Sequence, residues 1–175
     1  MSDFWVFGYG SLMWRPGFDY VEAVPARLAG AHRALCVWSW FHRGTRERPG
    51  LVLGLDRGGA CKGMAFRVRG RDRNAVVAYL TERELVSNVY RESWRPVTLA
   101  GGDSRPVTAL AYLVDRGHEQ YAGLLSSERL LDIVRGGEGR SGANAEYIHN
   151  TVRHLRELGI RDPVLEKLSE ALNRR

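Results

Sequence analysis

A chain of 175 residues, 44% hydrophobic and 26% charged, is long enough for one compact core and too short for two comfortable ones. Its net charge of +6 rests on arginine, since only Lys62 and Lys167 among 26 basic residues are lysine, and no basic stripe alternates with aromatics as a nucleic-acid surface would require. No apolar run approaches the roughly 20 residues of a membrane span, and no basic region followed by an apolar one opens the chain, so a cytoplasmic protein without nucleic-acid or membrane partners is expected.

The first strand is predicted over Phe4 to Tyr9, and it breaks into the glycine-bracketed "GYGSLMW". Trp5, Val6 and Phe7 suit a buried strand, whereas Gly8 and Gly10 give up packing for backbone freedom. Ser11 does not lie in Gly-x-Ser-x-Gly, and the segment after it, Trp14-Arg15-Pro16-Gly17, reads as loop, so a hydrolase elbow is excluded. Gly8-x-Gly10 likewise lacks the third glycine and the βαβ unit of a dinucleotide site.

Further strands are predicted over Ala23 to Trp40, Leu51 to Asp56 and Cys61 to Val68, separated by Gly, Pro and Arg-rich turns. Short strands at this spacing suggest a curled sheet or small barrel. Cys36 and Cys61 fall inside strands and read as two buried free thiols. Between strands, "HRGTRERPG" from His42 to Gly50 is either a solvated hairpin tip or a basic arm over a site, with Arg43, Arg46 and Arg48 as its cations.

From Asp72 the pattern turns helical, "DRNAVVAYLTERELV", with Val76, Val77 and Leu80 on one face and Asp72 as the expected N-cap. About 100° per residue puts Glu84 within about 40° of Val77 and Leu80, so a carboxylate points at the apolar face. It either pairs with an arginine such as Arg83 or Arg91, or is a desolvated acid of raised pKa suited to general acid/base work.

Strands around Ser93 to Leu99 and Pro106 to Val114 follow, then helices over Glu128 to Val134, Ala143 to Leu158 and Val164 to Leu172. Gly159 stops the second of these, and Asp162 with Pro163 starts the third. The segment 159–175 thus closes the chain as a C-terminal helix of one domain spanning 1–175. Glu146 and His149 form a Glu-x-x-His pair, but no second pair faces it, and no His-Glu-x-x-His occurs. No metal and no cofactor are expected.

Taken in order, "VFGYGSLMW", "YLTERE" and "GRSGANAEYI" resemble the ChaC-type γ-glutamylcyclotransferases over roughly residues 4 to 158. The resemblance implies an α+β fold, a small mixed β-barrel flanked by helices, and cofactor-free cleavage of glutathione to 5-oxoproline and Cys-Gly. It assigns substrate gripping to Gly8, Tyr9, Gly10, Ser11, Leu12 and Met13 and acid/base catalysis to Glu84. One departure stands out: relatives often follow Arg-Glu with Gly-Gly-Tyr or Gly-Ala-Tyr, where this chain has Leu85-Val86-Ser87-Asn88-Val89-Tyr90. Tyr90 takes the tyrosine position, and Arg43 is the further candidate, for the far carboxylate of a glutathione-like small molecule. Other γ-glutamyl amines or dipeptides as substrates, and a non-catalytic metabolite-binding barrel, are the competing readings.

Overall fold

The computed structural model describes residues 1–85, 87–101, 104 and 106–174. Contacts divide the chain into two compact units, Met1–Ala34 with Gly54–His118 and Leu35–Leu53 with Glu119–Arg175. Among the described residues, five strands close into a mixed barrel accompanied by four α-helices and a two-stranded ladder, an α+β architecture.

In the first unit, β1 (Phe4–Gly8), β2 (Glu22–Ser39), β3 (Gly50–Val68), β4 (Tyr90–Leu99) and β5 (Pro106–Val114) take the closed order β1-β3-β2-β4-β5, with β2 and β3 continuing into the second unit. β1 runs antiparallel to β3, Phe4 opposite Val68 and Gly8 opposite Met64, and parallel to β5, Val6 opposite Leu110. That parallel pair makes the barrel mixed, and closure leaves no open edge. The two strands expected over Leu51 to Asp56 and Cys61 to Val68 are a single one. Gly58 and Gly59, at φ 103° and 69°, let the chain kink without leaving the ladder, and the Gly58 carbonyl lies 2.9 Å from His32 Nδ1 of β2.

β4 begins at Tyr90, earlier than its own sequence suggests, because β5 pairs it throughout: Tyr90 faces Val114 and Glu92 faces Tyr112. The helix α1 (Arg73–Glu84) is entered through a 3-10 turn, Gly70–Asp72. Asp72 is therefore already near helical at φ −93°, ψ −2°, and its carboxylate accepts no capping bond, because a side-chain cap needs extended backbone at that residue. α1 presents Val76 and Leu80 to a core made of Phe4, Val6, Leu12, Val68, Leu110 and Tyr112, with Val77, Tyr79, Leu85 and Tyr90 packed at its margin.

The second unit holds α2 (Ser127–Gly136), the ladder of β6 (Glu138–Gly139) and β7 (Gly142–Ala143), α3 (Asn144–Glu157) and α4 (Pro163–Asn173). Its helix ends follow the expected chemistry. Ser126 and Asp162 accept from the Arg129 and Leu165 N–H groups, at 3.2 and 3.1 Å, and Gly159 leaves α3 at φ 72°. Buried Asn144 acts as a surrogate strand: its Oδ1 accepts from Leu51 N and its Nδ2 donates to Leu51 O, both at 2.8 Å.

Candidate active site

The exit of β1 is tightly built. A Cβ on Gly8 would lie 3.1 Å from Leu12 Cβ, and a Cβ on Gly63 of β3 would run into the Gly8 carbonyl and the Phe7 ring, so bare backbone is needed on both strands for this approach. After Gly8, Ser11–Met13 coil into a 3-10 turn in which Met13 N donates to Gly10 O at 2.9 Å and Arg15 N to Ser11 O at 2.8 Å. The Tyr9 carbonyl accepts from Arg33 Nε at 2.6 Å, and another nitrogen of that guanidinium donates to Lys62 O at 2.7 Å, anchoring the turn to β2 and β3. Leu12 and Met13 turn their side chains into the core, whereas Ser11 is exposed. Tyr9 is also buried.

Glu84 is the last residue of α1, and its carboxylate side chain is only 16% exposed. Burial raises its pKa above the ordinary carboxylate value, and the Arg83 guanidinium opposes that rise. Arg83 Nε stands 3.7 Å from Glu84 Oε1. The same guanidinium donates to Ser11 Oγ at 3.0 Å, Arg15 O at 2.6 Å, Pro16 O at 3.1 Å and the Tyr79 hydroxyl at 3.0 Å. The glycine turn and the acid are thus joined through one side chain. Gly17 completes the join at φ 77°, where any Cβ would collide with the Tyr79 hydroxyl.

Tyr112 of β5 is a further buried titratable group in this unit. Its hydroxyl is sealed from solvent and makes no hydrogen bond of standard geometry, although the Thr81 side chain sits close enough to favour the phenolate somewhat. Burial, and after it the negative charges of Glu92 and Glu84, push the phenol well above its usual range. Tyr90 opens β4 and packs at the margin of the same core.

A family model described as ChaC-like protein matches residues 4–175. The chain belongs to the ChaC-like family. It is 32% identical over 164 residues to a glutathione-specific γ-glutamylcyclotransferase of Escherichia coli, covering 94% of this chain and 70% of that protein. It is 34% identical over 174 residues to glutathione-specific γ-glutamylcyclotransferase 1 of Mus musculus, covering 96% and 77%. The crystal structure of a γ-glutamyl cyclotransferase specific to glutathione from yeast shares the fold, with a TM-score of 0.87 at 22% identity over 99% of this chain and 96% of that one.

Within this ChaC-like chain, Gly8, Tyr9, Gly10, Ser11, Leu12, Met13, Glu84 and Tyr90 all lie in the first unit, where Leu12 and Tyr90 share a core and Ser11 is bound to the guanidinium that flanks Glu84. Arg43 belongs to the second unit and is occupied there. Its guanidinium donates to Ala143 O at 3.1 Å, stands 3.9 Å from Glu146 Oε2 and lies over the Tyr147 ring, and its side chain is 17% exposed. The "GRSGANAEYI" motif is a staple: besides the Asn144 bracket, the Tyr147 hydroxyl accepts from Leu53 N at 3.0 Å. His149 shares a 2.7 Å hydrogen bond with Ser169, and among the described residues no group of three or more His, Cys, Asp or Glu is placed to hold a metal ion. Among the described residues, no helix is long and apolar enough to cross a membrane.

Val86 lies outside the described residues. Asn88 N donates to Leu85 O at 3.1 Å, and Asn88 adopts φ 57°, the only left-handed non-glycine residue among those described. Asparagine tolerates that region better than other residues with a Cβ, so it meets at this position a backbone demand that a glycine would otherwise meet. Two residues escaped the sequence reading. Arg83 is legible only as a partner for Glu84, because two of its four other acceptors are backbone carbonyls, which no sequence pattern marks, and the Ser11 and Tyr79 hydroxyls reach it only through the fold. Tyr112 sat unremarked in "ALAYLV", where a phenol in the middle of an apolar strand was the available signal.

Proposed function

We propose that this ChaC-like protein is a cytoplasmic γ-glutamylcyclotransferase that cleaves glutathione to 5-oxoproline and Cys-Gly. The observation that carries the reading is a single, largely buried carboxylate of raised proton affinity, Glu84, tied through Arg83 to the glycine turn. Similarity to glutathione-specific relatives over most of their length supports the substrate.

A γ-glutamyl group contains its own nucleophile, because its α-amine closes a five-membered lactam on its γ-carbonyl. The protein must fold the substrate until nitrogen and carbonyl carbon approach about 3 to 3.5 Å, take a proton from the ammonium and deliver one to the departing nitrogen. Glu84 accepts the first proton as the amine attacks and hands it to the Cys-Gly amine as the C–N bond breaks. Within the turn from Gly8 to Met13, whose Met13 N–H is already bonded to Gly10 O, the other backbone N–H groups meet the substrate's α-carboxylate or the oxyanion that forms on the γ-carbonyl, with Tyr90 and the Ser11 hydroxyl beside it. Buried Leu12 and Met13 contribute through backbone and support rather than through their side chains.

The deciding experiment incubates the pure protein with glutathione, without added metal, and looks for 5-oxoproline and Cys-Gly. Glu84→Gln keeps shape and hydrogen bonding but cannot accept the proton, so turnover is expected to fall about 10²- to 10⁴-fold. An active Gln variant would remove Glu84 from the chemistry. A second reading rests on the sequence after Glu84, which lacks the glycines such relatives often carry there and has Asn88 in the left-handed region: γ-glutamyl amines or dipeptides other than glutathione are the preferred substrates. Parallel assays with γ-glutamyl-alanine and γ-glutamyl-lysine separate the two.

A further inference from the structure

Arg83 is engaged on every side. Its guanidinium reaches Ser11 Oγ on the turn, the carbonyls of Arg15 and Pro16 on the loop that follows, the Tyr79 hydroxyl one helical turn back, and the flank of the Glu84 carboxylate. Only a planar fork with five N–H donors serves such a set, and a lysine ammonium does not span it. Three of those acceptors, Ser11, Arg15 and Pro16, lie in the segment that leaves β1, while Arg83 itself is fixed in the last turn of α1. The other ties between this segment and the helix are apolar contacts, Leu12 in the core with Val76 and Leu80 and Phe18 against the Tyr79 ring, together with the close approach of Gly17 to Tyr79, so Arg83 supplies the polar fastening.

We infer that Arg83 is a positioning residue, a clamp that holds the glycine turn at a fixed distance from Glu84 so that the groups gripping the substrate and the group moving the proton stay in register. This rests on the assignment of Glu84 and the turn given above. Misplacement of reacting groups by about 1 Å costs about 10²-fold in rate, so a clamp of this kind matters without touching the reacting atoms. The titratable groups recorded around Glu84 are Arg83 on its own helix and Tyr112 on β5. Arg83 is the cation among them.

The test compares Arg83→Lys, which keeps charge but loses the fork, with Arg83→Gln, which loses both. Each is measured for kcat, KM, the pH profile of kcat/KM and hydrogen exchange of the 10–17 backbone amides. Both variants are expected to exchange faster across 10–17 and to lose about ten-fold or more in kcat/KM, mainly through kcat, because the proton-moving group loses its register with the bound substrate. Only Arg83→Gln is expected to move the acid limb of the profile to higher pH, because the cation that favours ionised Glu84 is gone. A merely structural arginine would lower Tm while leaving kcat, the limb and the 10–17 exchange as in the parent, and that result overturns the inference. Failure of the functional reading shows elsewhere, as a parent protein that makes no 5-oxoproline, and the exchange measurement then still decides whether the clamp exists.

Discussion

Asn144 brackets Leu51 as a neighbouring strand would, giving and accepting one hydrogen bond with the same residue's backbone from a fully buried position. Asn144→Leu would strand a buried N–H and a buried C=O together. Each unsatisfied group costs about 1–3 kcal/mol, so a loss of roughly 2–5 kcal/mol is expected in urea unfolding, with the midpoint falling and the slope unchanged. A variant as stable as the parent would show that water replaces the amide without loss.

Glu84 carries a stability liability whose sign is fixed. Its folded pKa lies above the unfolded value, so the native state binds the proton more tightly, and stability falls as pH rises from the ordinary carboxylate range through the folded pKa. Glu84→Gln never ionises. The variant is therefore expected to match the parent near pH 4 and to exceed it in Tm at pH 7, while losing turnover. A variant less stable than the parent at pH 7 would mean that Glu84 gains more from Arg83 than burial takes away.

Tyr112 is the converse case, a neutral group held neutral. Its raised pKa means that stability present below about pH 10, the ordinary phenol value, is lost as pH climbs above it, because the unfolded chain ionises first. Tyr112→Phe removes both the titration and an unpaired hydroxyl. The expected outcome is an unchanged or higher Tm at pH 7 and a shallower decline above pH 10, read by thermal melts across pH.

At Asn88 the left-handed backbone predicts opposite effects for two substitutions. Asn88→Gly relieves the Cβ penalty and is expected to leave stability within about 1 kcal/mol or raise it, whereas Asn88→Val forces a branched side chain into φ 57° and is expected to cost about 1–2 kcal/mol or more. Assaying both with glutathione and γ-glutamyl-alanine shows whether this turn also sets substrate preference.

What the sequence made legible follows from range. β1, β5 and α1 are readable because their signals are local, short runs of aromatic and β-branched residues in the strands and the Val76, Val77, Leu80 face in the helix, and Glu84 stands out as a charge on that face. β3 was split in two because Gly58 and Gly59 look like a turn, and only pairing along the barrel makes them a kink. Asp72 misled for a similar reason, since a 3-10 lead-in removes the extended backbone a cap requires. Arg43 drew attention as a cation in a polar loop, and nothing in that loop announced Ala143 or Glu146 as its partners.

The arginine excess acquires a meaning that net charge conceals. Arg33 holds the carbonyls of Tyr9 and Lys62, Arg83 those of Arg15 and Pro16, Arg116 that of Arg57 and Arg135 those of Ala171 and Arg174. These guanidinium groups are rivets through the backbone, and neutral carbonyls do not let go when salt rises as exposed carboxylates do. A wholesale exchange of arginine for lysine would preserve the +6 charge and the solubility it brings, yet it would unfasten loops at many points at once.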